Sequence, residues 1–181
     1  EHNDLLKGTE FLGELIDSAL NHQPLNILYR TFAGNERTTI IHPYHIKQFN
    51  GRWFLIGLQE GSHGNYITNK ALDRIVKFSR AHVPFIPNAD IDFNEYFKDV
   101  VGVTLPAEHP VPEEVLLRFD ESRFPYVVNK PIHPSQETED EQEHIIRLTV
   151  RPNKELEARI FSYGNQVEVL KPEWLRRQIA E

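Results

Sequence analysis

Five residues able to hold a planar anion surround one turn. Tyr44, His45 and Lys47 precede Asn50-Gly51, and Arg52 and Trp53 follow it. Asn-Gly is the strongest short hairpin signal, because both residues accept the positive φ of a two-residue primed turn. Strand pairing across that turn is expected to bring Lys47 close to Trp53 or Arg52. An indole stacks a planar group and a guanidinium clamps an anion, the mechanics by which nucleotides and single strands are held. The same residues also fit a core Trp whose basic neighbours are solvated at the rim, and at this level both readings stand. Arg74, between Asp73 and Ile75, has two places open to it, a salt bridge to Asp73 or a cleft, and local sequence favours the salt bridge.

Other chemistries find less support. Nine His residues raise the question of a metal, but His42 and His45 flank Pro43-Tyr44, which breaks the geometry needed to bring both onto one ion. No second ligand pair has a recognisable spacing. There is no Gly-x-Gly-x-x-Gly, P-loop, Gly-x-Ser-x-Gly or His-Glu-x-x-His. No Asp or Glu stands in a telling context, so the expectation is a protein that is not an enzyme and has neither metal nor cofactor.

Short strands must position the cluster. Leu25, Ile27 and Tyr29 alternate with Asn26, Leu28 and Arg30, and a second strand follows from Thr38 to Ile41. His42-Pro43 is expected to interrupt the ladder, since proline cannot donate to it, before Tyr44–Phe49 resumes. After the Asn-Gly turn, Phe54, Ile56 and Leu58 share one face while Trp53, Leu55 and Gly57 share the other. Weaker strands follow at Tyr66–Asn69 and Ile75–His82. Five or six such strands in succession describe a small antiparallel barrel. Ahead of them Thr9 can cap a helix with Leu12, Leu15, Ile16, Ala19 and Leu20 at helical spacing.

Beyond Val83 the chain is punctuated by Pro84, Pro87, Pro106, Pro110 and Pro112. A helix is predicted within that stretch over Asp92–Val101, with Asp92 as its N-cap and Phe93, Phe97, Val100 and Val101 on one face. Then come a strand at Val115–Phe119, a helix near Pro125, strands at Ile132–Thr138 and His144–Val150, a helix capped by Asn153 and stopped by Gly164, a strand at Gln166–Leu170 and a terminal helix after Pro172. That β-α-β-β-α-β order fits a ferredoxin-like sandwich. The acidic run Glu137–Glu143 reads as a solvated hairpin tip. The fold class is therefore α+β. Residues 1–24 lead by a helix into a barrel at 25–82, 83–112 form a linker with one helix, and 113–181 form the second domain.

At 181 residues the chain can bury two small cores. With no Cys, disulfides, thiolate metal sites and a Cys nucleophile are excluded, and a reducing cytoplasm is the expected setting. No apolar run approaches the roughly 20 residues of a membrane helix. With Glu1 first and no Met anywhere, the natural start is expected upstream. The net charge of -7 argues against duplex-DNA binding by these residues as a whole. Yet residues 25–82 carry eight Lys and Arg against three acids, whereas 106–181 carry ten against fifteen. A local anion site on the barrel is one account of that asymmetry, and ordinary surface variation is the other.

In order along the chain, Pro43-Tyr44, Arg52-Trp53-Phe54-Leu55 and Leu72-Asp73-Arg74-Ile75 resemble the WYL domain, with Phe54 at the Tyr of the Trp-Tyr-Leu triplet. The stretch from Val115 to Glu181, with Tyr163-Gly164 and Val167-Glu168-Val169-Leu170-Lys171-Pro172, is similar to the C-terminal extension of WYL-containing bacterial transcriptional regulators. The resemblance implies a cytoplasmic, homodimeric regulator. Its winged helix-turn-helix would lie upstream of Glu1 and contact duplex DNA, and its Sm-like barrel would sense a ligand. In some relatives that ligand is single-stranded nucleic acid, bound partly through an Arg two residues before the Asp of Asp-Arg-Ile. Here Ala71 stands at that position and Lys70 replaces the usual Phe before it, a departure that weighs against nucleic acid while leaving charge at Lys70. The combined expectation is a ligand-sensing and dimerising regulatory fragment. Its anionic effector, a nucleotide or single strand, would be held by Tyr44, His45, Lys47, Arg52, Trp53, Lys70 and Arg74. The rival is a purely structural dimerisation module without an effector.

Overall fold

In the computed structural model, which describes residues 7–180, Asn50 and Gly51 both take positive φ, 48° and 76°. Strands β2 (Glu36–Phe49) and β3 (Arg52–Gln59) therefore close on a two-residue turn with Phe49 opposite Arg52. Residues 1–6 of the expected leading segment, and Glu181, lie outside the described residues.

The chain divides into two compact units at Phe93/Asn94. In the first, β1 (Leu25–Arg30), β2, β3, β4 (Tyr66–Ala71) and β5 (Ile75–Arg80) form an antiparallel sheet in the order β4-β3-β2-β1-β5. Each strand pairs with its sequence neighbour except β5, which joins the far side of β1. No ladder joins β4 to β5 among the described residues, so the barrel is not closed by backbone hydrogen bonds. The seam carries a side-chain tie instead: the Ala71 N–H donates to Tyr29 Oη at 3.3 Å.

Strand β2 does not break at His42-Pro43. It runs through Pro43 because the register shifts between Pro43 and His45, and such a bulge is where a strand tolerates a missing donor. Alternation puts Leu25, Ile27, Ile41 and Leu55 on one face, where they meet Leu15, Leu72 and Ile75 in a buried cluster. Leu15 comes from helix α1 (Leu12–Leu20), which a short 3-10 turn at Thr9–Phe11 precedes in place of the Thr9 cap expected from sequence. Of that helix only Leu15 is fully buried, whereas Leu20 is exposed. Truncating Leu15 would cost about 2–5 kcal/mol, as is usual for a filled core site.

The short helix α2 (Phe93–Tyr96) crosses the division between the units. The predicted helix 92–101 thus exists only as one turn. Phe97, Val100 and Val101 are nonetheless buried, held within turns rather than by helical periodicity. The second unit contains β6 (Glu113–Phe119), α3 (Phe124–Asn129), β7 (Glu137–Asp140), β8 (Ile145–Val150), α4 (Lys154–Phe161), β9 (Val167–Lys171) and α5 (Glu173–Ala180). Its antiparallel sheet runs β7-β8-β6-β9, the ferredoxin-like order. Buried Val115, Leu117 and Phe119 alternate with less buried neighbours, as do Ile146, Leu148 and Val150. Strand β7 begins later than predicted and includes Glu139 and Asp140, because the turn falls at 141–144.

Asn153 caps α4 as expected, its Oδ1 accepting from the Leu156 N–H at 2.9 Å. Its Nδ2 also donates to the Val101 and Thr104 carbonyls, both at 2.8 Å, and Arg151 donates to the Pro106 and His109 carbonyls. These bonds pin the proline-punctuated stretch, which therefore packs rather than floats. Near its end, Glu113 receives the Trp174 Nε1–H (3.0 Å) and pairs with His109 Nδ1 (2.8 Å), and the two rings stack 4.1 Å apart. No described helix is long and apolar enough to cross a membrane.

Candidate functional site

The two-residue turn sets the register 49–52, 48–53 and 47–54, so Lys47 faces Phe54 rather than Trp53 or Arg52. Trp53 packs against the buried cluster of the first unit. Arg52, at the start of β3, donates from Nη2 to both carboxylate oxygens of Asp73, at 2.9 and 2.7 Å, with its guanidinium 5.6 Å from the Phe54 ring centre. Asp73 thus takes Arg52, not its neighbour Arg74. A crevice bordered by Lys7, Thr9, Gly51, Arg52, Trp53, Leu72 and Asp73 holds only about 10 Å³, the room of a single water.

Tyr44 and His45 lie where residues 85–93 cover the sheet. Tyr44 Oη donates to the Ile86 carbonyl at 2.8 Å, and Phe85 meets Tyr44 edge-on. Phe85 also stacks on His22 (4.8 Å, 14°), while Phe93 stacks on His45 (5.2 Å, 12°). Fully buried His42 receives the Ile86 N–H at Nδ1 and faces Glu60 through Nε2. Burial, and secondarily the charge of Lys47, lowers the His45 pKa, and burial lowers that of Lys47. These aromatic and imidazole groups are already stacked by the chain itself.

Lys70 and Arg74 are brought together. The Arg74 guanidinium carbon lies 3.8 Å from the Phe32 ring centre and 4.8 Å from that of Tyr29, and its Nε–H donates to the Arg30 carbonyl at 3.0 Å. The Lys70 ammonium lies 4.8 Å from the Tyr29 ring centre. Arg37 is directly opposite Tyr29 in the β1–β2 register. Burial lowers the Lys70 pKa first, then the positive charges of Arg74 and Arg37. Tyr29 is held above the ordinary phenol range by burial, which outweighs the opposing pull of Arg74. Phe32, in the turn after β1, is 84 % exposed.

The seven residues expected at one mouth thus fall into three places: Lys70 and Arg74 at Tyr29, Arg52 and Trp53 at the β2–β3 turn, and Tyr44, His45 and Lys47 near the covering segment. Tyr29, Phe32 and Arg37 were missed. Alternation already put Tyr29 on the face of Leu25 and Ile27, but nothing local linked it to residues forty positions later.

Residues 10–78 match the WYL domain and residues 112–181 the WCX domain. Among curated proteins no sequence matches significantly. Among solved structures, a CRISPR Cas-related protein is similar to this chain at 11 % identity and a TM-score of 0.55, over 96 % of this chain and 49 % of its own. Proteasome accessory factor B/C (PafBC) of Arthrobacter aurescens is similar at 12 % identity and a TM-score of 0.41, over 99 % of this chain and 27 % of its own. The chain spans about half the length of the first of these and about a quarter of the second. The two matched segments show that this chain belongs to the WYL-domain proteins, carrying a WYL domain followed by a WCX domain, the C-terminal extension typical of WYL-containing regulators.

Proposed function

We propose that this chain is the effector-sensing and dimerising part of a cytoplasmic bacterial transcriptional regulator. Its duplex-DNA-binding winged helix-turn-helix would lie upstream of residue 1, and it would catalyse no reaction. The effector is anionic and planar, a nucleotide or a short single strand, and Lys70 and Arg74 are its central contacts. The observation that carries this reading is the convergence of Lys70, Arg74 and Arg37 on Tyr29 beside an exposed Phe32. Lys70, whose pKa is lowered by burial and then by the charges of Arg74 and Arg37, is relieved by an anion, and the rings offer a stacking surface. Binding shifts the regulator between states only through different affinity for each.

The test is calorimetric titration of nucleotides and short oligonucleotides into the wild type and a Lys70→Gln/Arg74→Gln variant. The expected result is binding to the wild type that weakens at least about tenfold in the variant and falls with added salt. Equal binding by both would refute the site. The structural reading, dimerisation without an effector, is favoured by the internal engagement of Tyr44, His45 and Arg52. Absence of any binding, with a concentration-dependent dimer, would establish it instead.

A further inference from the structure

Ile86 is held to the first sheet by two side chains of β2, one on each of its backbone polar groups. Its N–H donates to His42 Nδ1 at 3.1 Å, and its carbonyl receives the Tyr44 hydroxyl at 2.8 Å. Phe85 beside it packs edge-on against both rings and stacks on His22, while Phe93 stacks on His45. Residues 83–93 thus form a strap tied down by imidazoles and a phenol rather than by a strand ladder.

His42 decides whether the strap can stay down. It is fully buried, and a backbone N–H can only donate, so Nδ1 must be bare and the ring proton sits on Nε2, 3.0 Å from Glu60 Oε1. An imidazolium carries hydrogens on both nitrogens. Across 3.1 Å the Nδ1 and Ile86 hydrogens would then face each other, so a second proton on His42 and the bond to the strap exclude one another. The charged ring keeps the partly exposed Glu60 and needs water on the side that the strap covers. The other titratable groups nearby do not take this part. Burial raises the pKa of Tyr44, which stays uncharged, and His22 lies on Phe85. Burial and then Lys47 oppose charge on His45, and His82, Asp90 and Asp92 are exposed.

The geometry points to residues 83–93 as a proton-operated strap: as pH falls, His42 takes a proton from water at Nδ1, Ile86 loses its acceptor, and the strap lifts from Tyr44 and His45. The closed strap excludes a proton that the open one admits, so each pH unit below the range in which the uncovered ring titrates raises the open fraction by up to about tenfold. The proton is then an input to the first unit that does not depend on the anion reading.

The test follows amide exchange at Ile86 in the whole chain by NMR from about pH 8 to about pH 5, each rate divided by the intrinsic rate at that pH. Protection at Ile86 is expected to fall by up to about tenfold per pH unit, while the amides of β3, a strand paired on both sides, keep theirs. His42→Asn, whose Oδ1 stands near the place of Nδ1 and takes no proton, is expected to hold Ile86 protected throughout. A second measurement needs no variant: the ring nitrogen shifts of His42 are expected to show half-protonation only where Ile86 has lost nearly all its protection. A flat profile at Ile86 in the wild type, the same fall in His42→Asn, or a parallel fall in β3 overturns the strap. So does a ring half-protonated while Ile86 remains protected.

Discussion

The pair Arg52–Asp73 decides whether the basic residue beside the Asn50-Gly51 turn is part of the site or part of its scaffold. One nitrogen of Arg52 meets both oxygens of Asp73 at 2.7 and 2.9 Å, with side chains 34 % and 29 % exposed. Exposed ion pairs couple by about 0.2–1 kcal/mol and hydrogen bonds to charged groups contribute about 1.5–3 kcal/mol. For a pair two-thirds covered, a coupling near 1 kcal/mol follows from those bounds. Arg52→Ala also uncovers the Phe54 ring, 5.6 Å away, so the single variant should lose about 1–1.5 kcal/mol. The measurement is a double-mutant cycle over Arg52→Ala and Asp73→Ala by urea unfolding, with phosphate-compound affinity titrated for each variant. Arg52→Ala is expected to change that affinity by less than about threefold, against about tenfold for Arg74→Gln. A coupling below about 0.3 kcal/mol, together with an affinity loss in Arg52→Ala equal to that in Arg74→Gln, would show that Arg52 serves the ligand and that the assignment is wrong.

Gly8 has φ +87°, and a Cβ there would clash with the Leu72 carbonyl, so Gly8→Ala should destabilise the first unit by more than about 2 kcal/mol. A change in urea midpoint worth less than about 0.5 kcal/mol would show that the contact with Leu72 is dispensable. Asn153→Ala removes a helix cap and the two hydrogen bonds to the Val101 and Thr104 carbonyls, about 3 kcal/mol in all. Asn153→Asp keeps the cap but turns a carboxylate on those carbonyls and should be no more stable than Asn153→Ala at neutral pH, so wild-type stability in it would refute the account. For Lys70, burial lowers the folded pKa, so the folded state binds fewer protons than the unfolded one between that value and the ordinary lysine value of 10.5. Stability attributable to this group therefore rises with pH across that window. Lys70→Met should be more stable than the wild type at neutral pH, and the difference should vanish as pH climbs past the ordinary lysine value. A pH-independent difference would contradict the burial argument.

Much of this molecule is decided over short distances along the chain. Asn50-Gly51 sets the β2–β3 register because a two-residue turn with positive φ admits only one pairing, and alternation then assigns Trp53, Leu55 and Ile46 to the core face. Asn153, three residues before Leu156, marks the start of α4 for the same local reason, the orphan N–H groups of a first turn. The order of elements from β6 to β9 was legible because each switch of hydrophobic period is a local signal. Proline misled the reading at Pro43, since its lost donor is harmless at a bulge, and bulges arise from the pairing of two strands rather than from one.

Choice of partner required the tertiary structure. Asp73 adjoins Arg74 in sequence yet pairs with Arg52, 21 residues earlier, while Arg74 reaches back 44 residues to Arg30. Likewise Ile86 engages His42 and Tyr44 from a segment that composition marks only as a linker. The sequence determined which side chains share a strand face, because that follows from a period of two. Which charges and rings meet across the open seam between β4 and β5 was decided only when the sheet curled and brought the end of β4 against Tyr29. Pleat and turn are properties of a few consecutive residues, whereas curvature belongs to the whole sheet and the core it encloses.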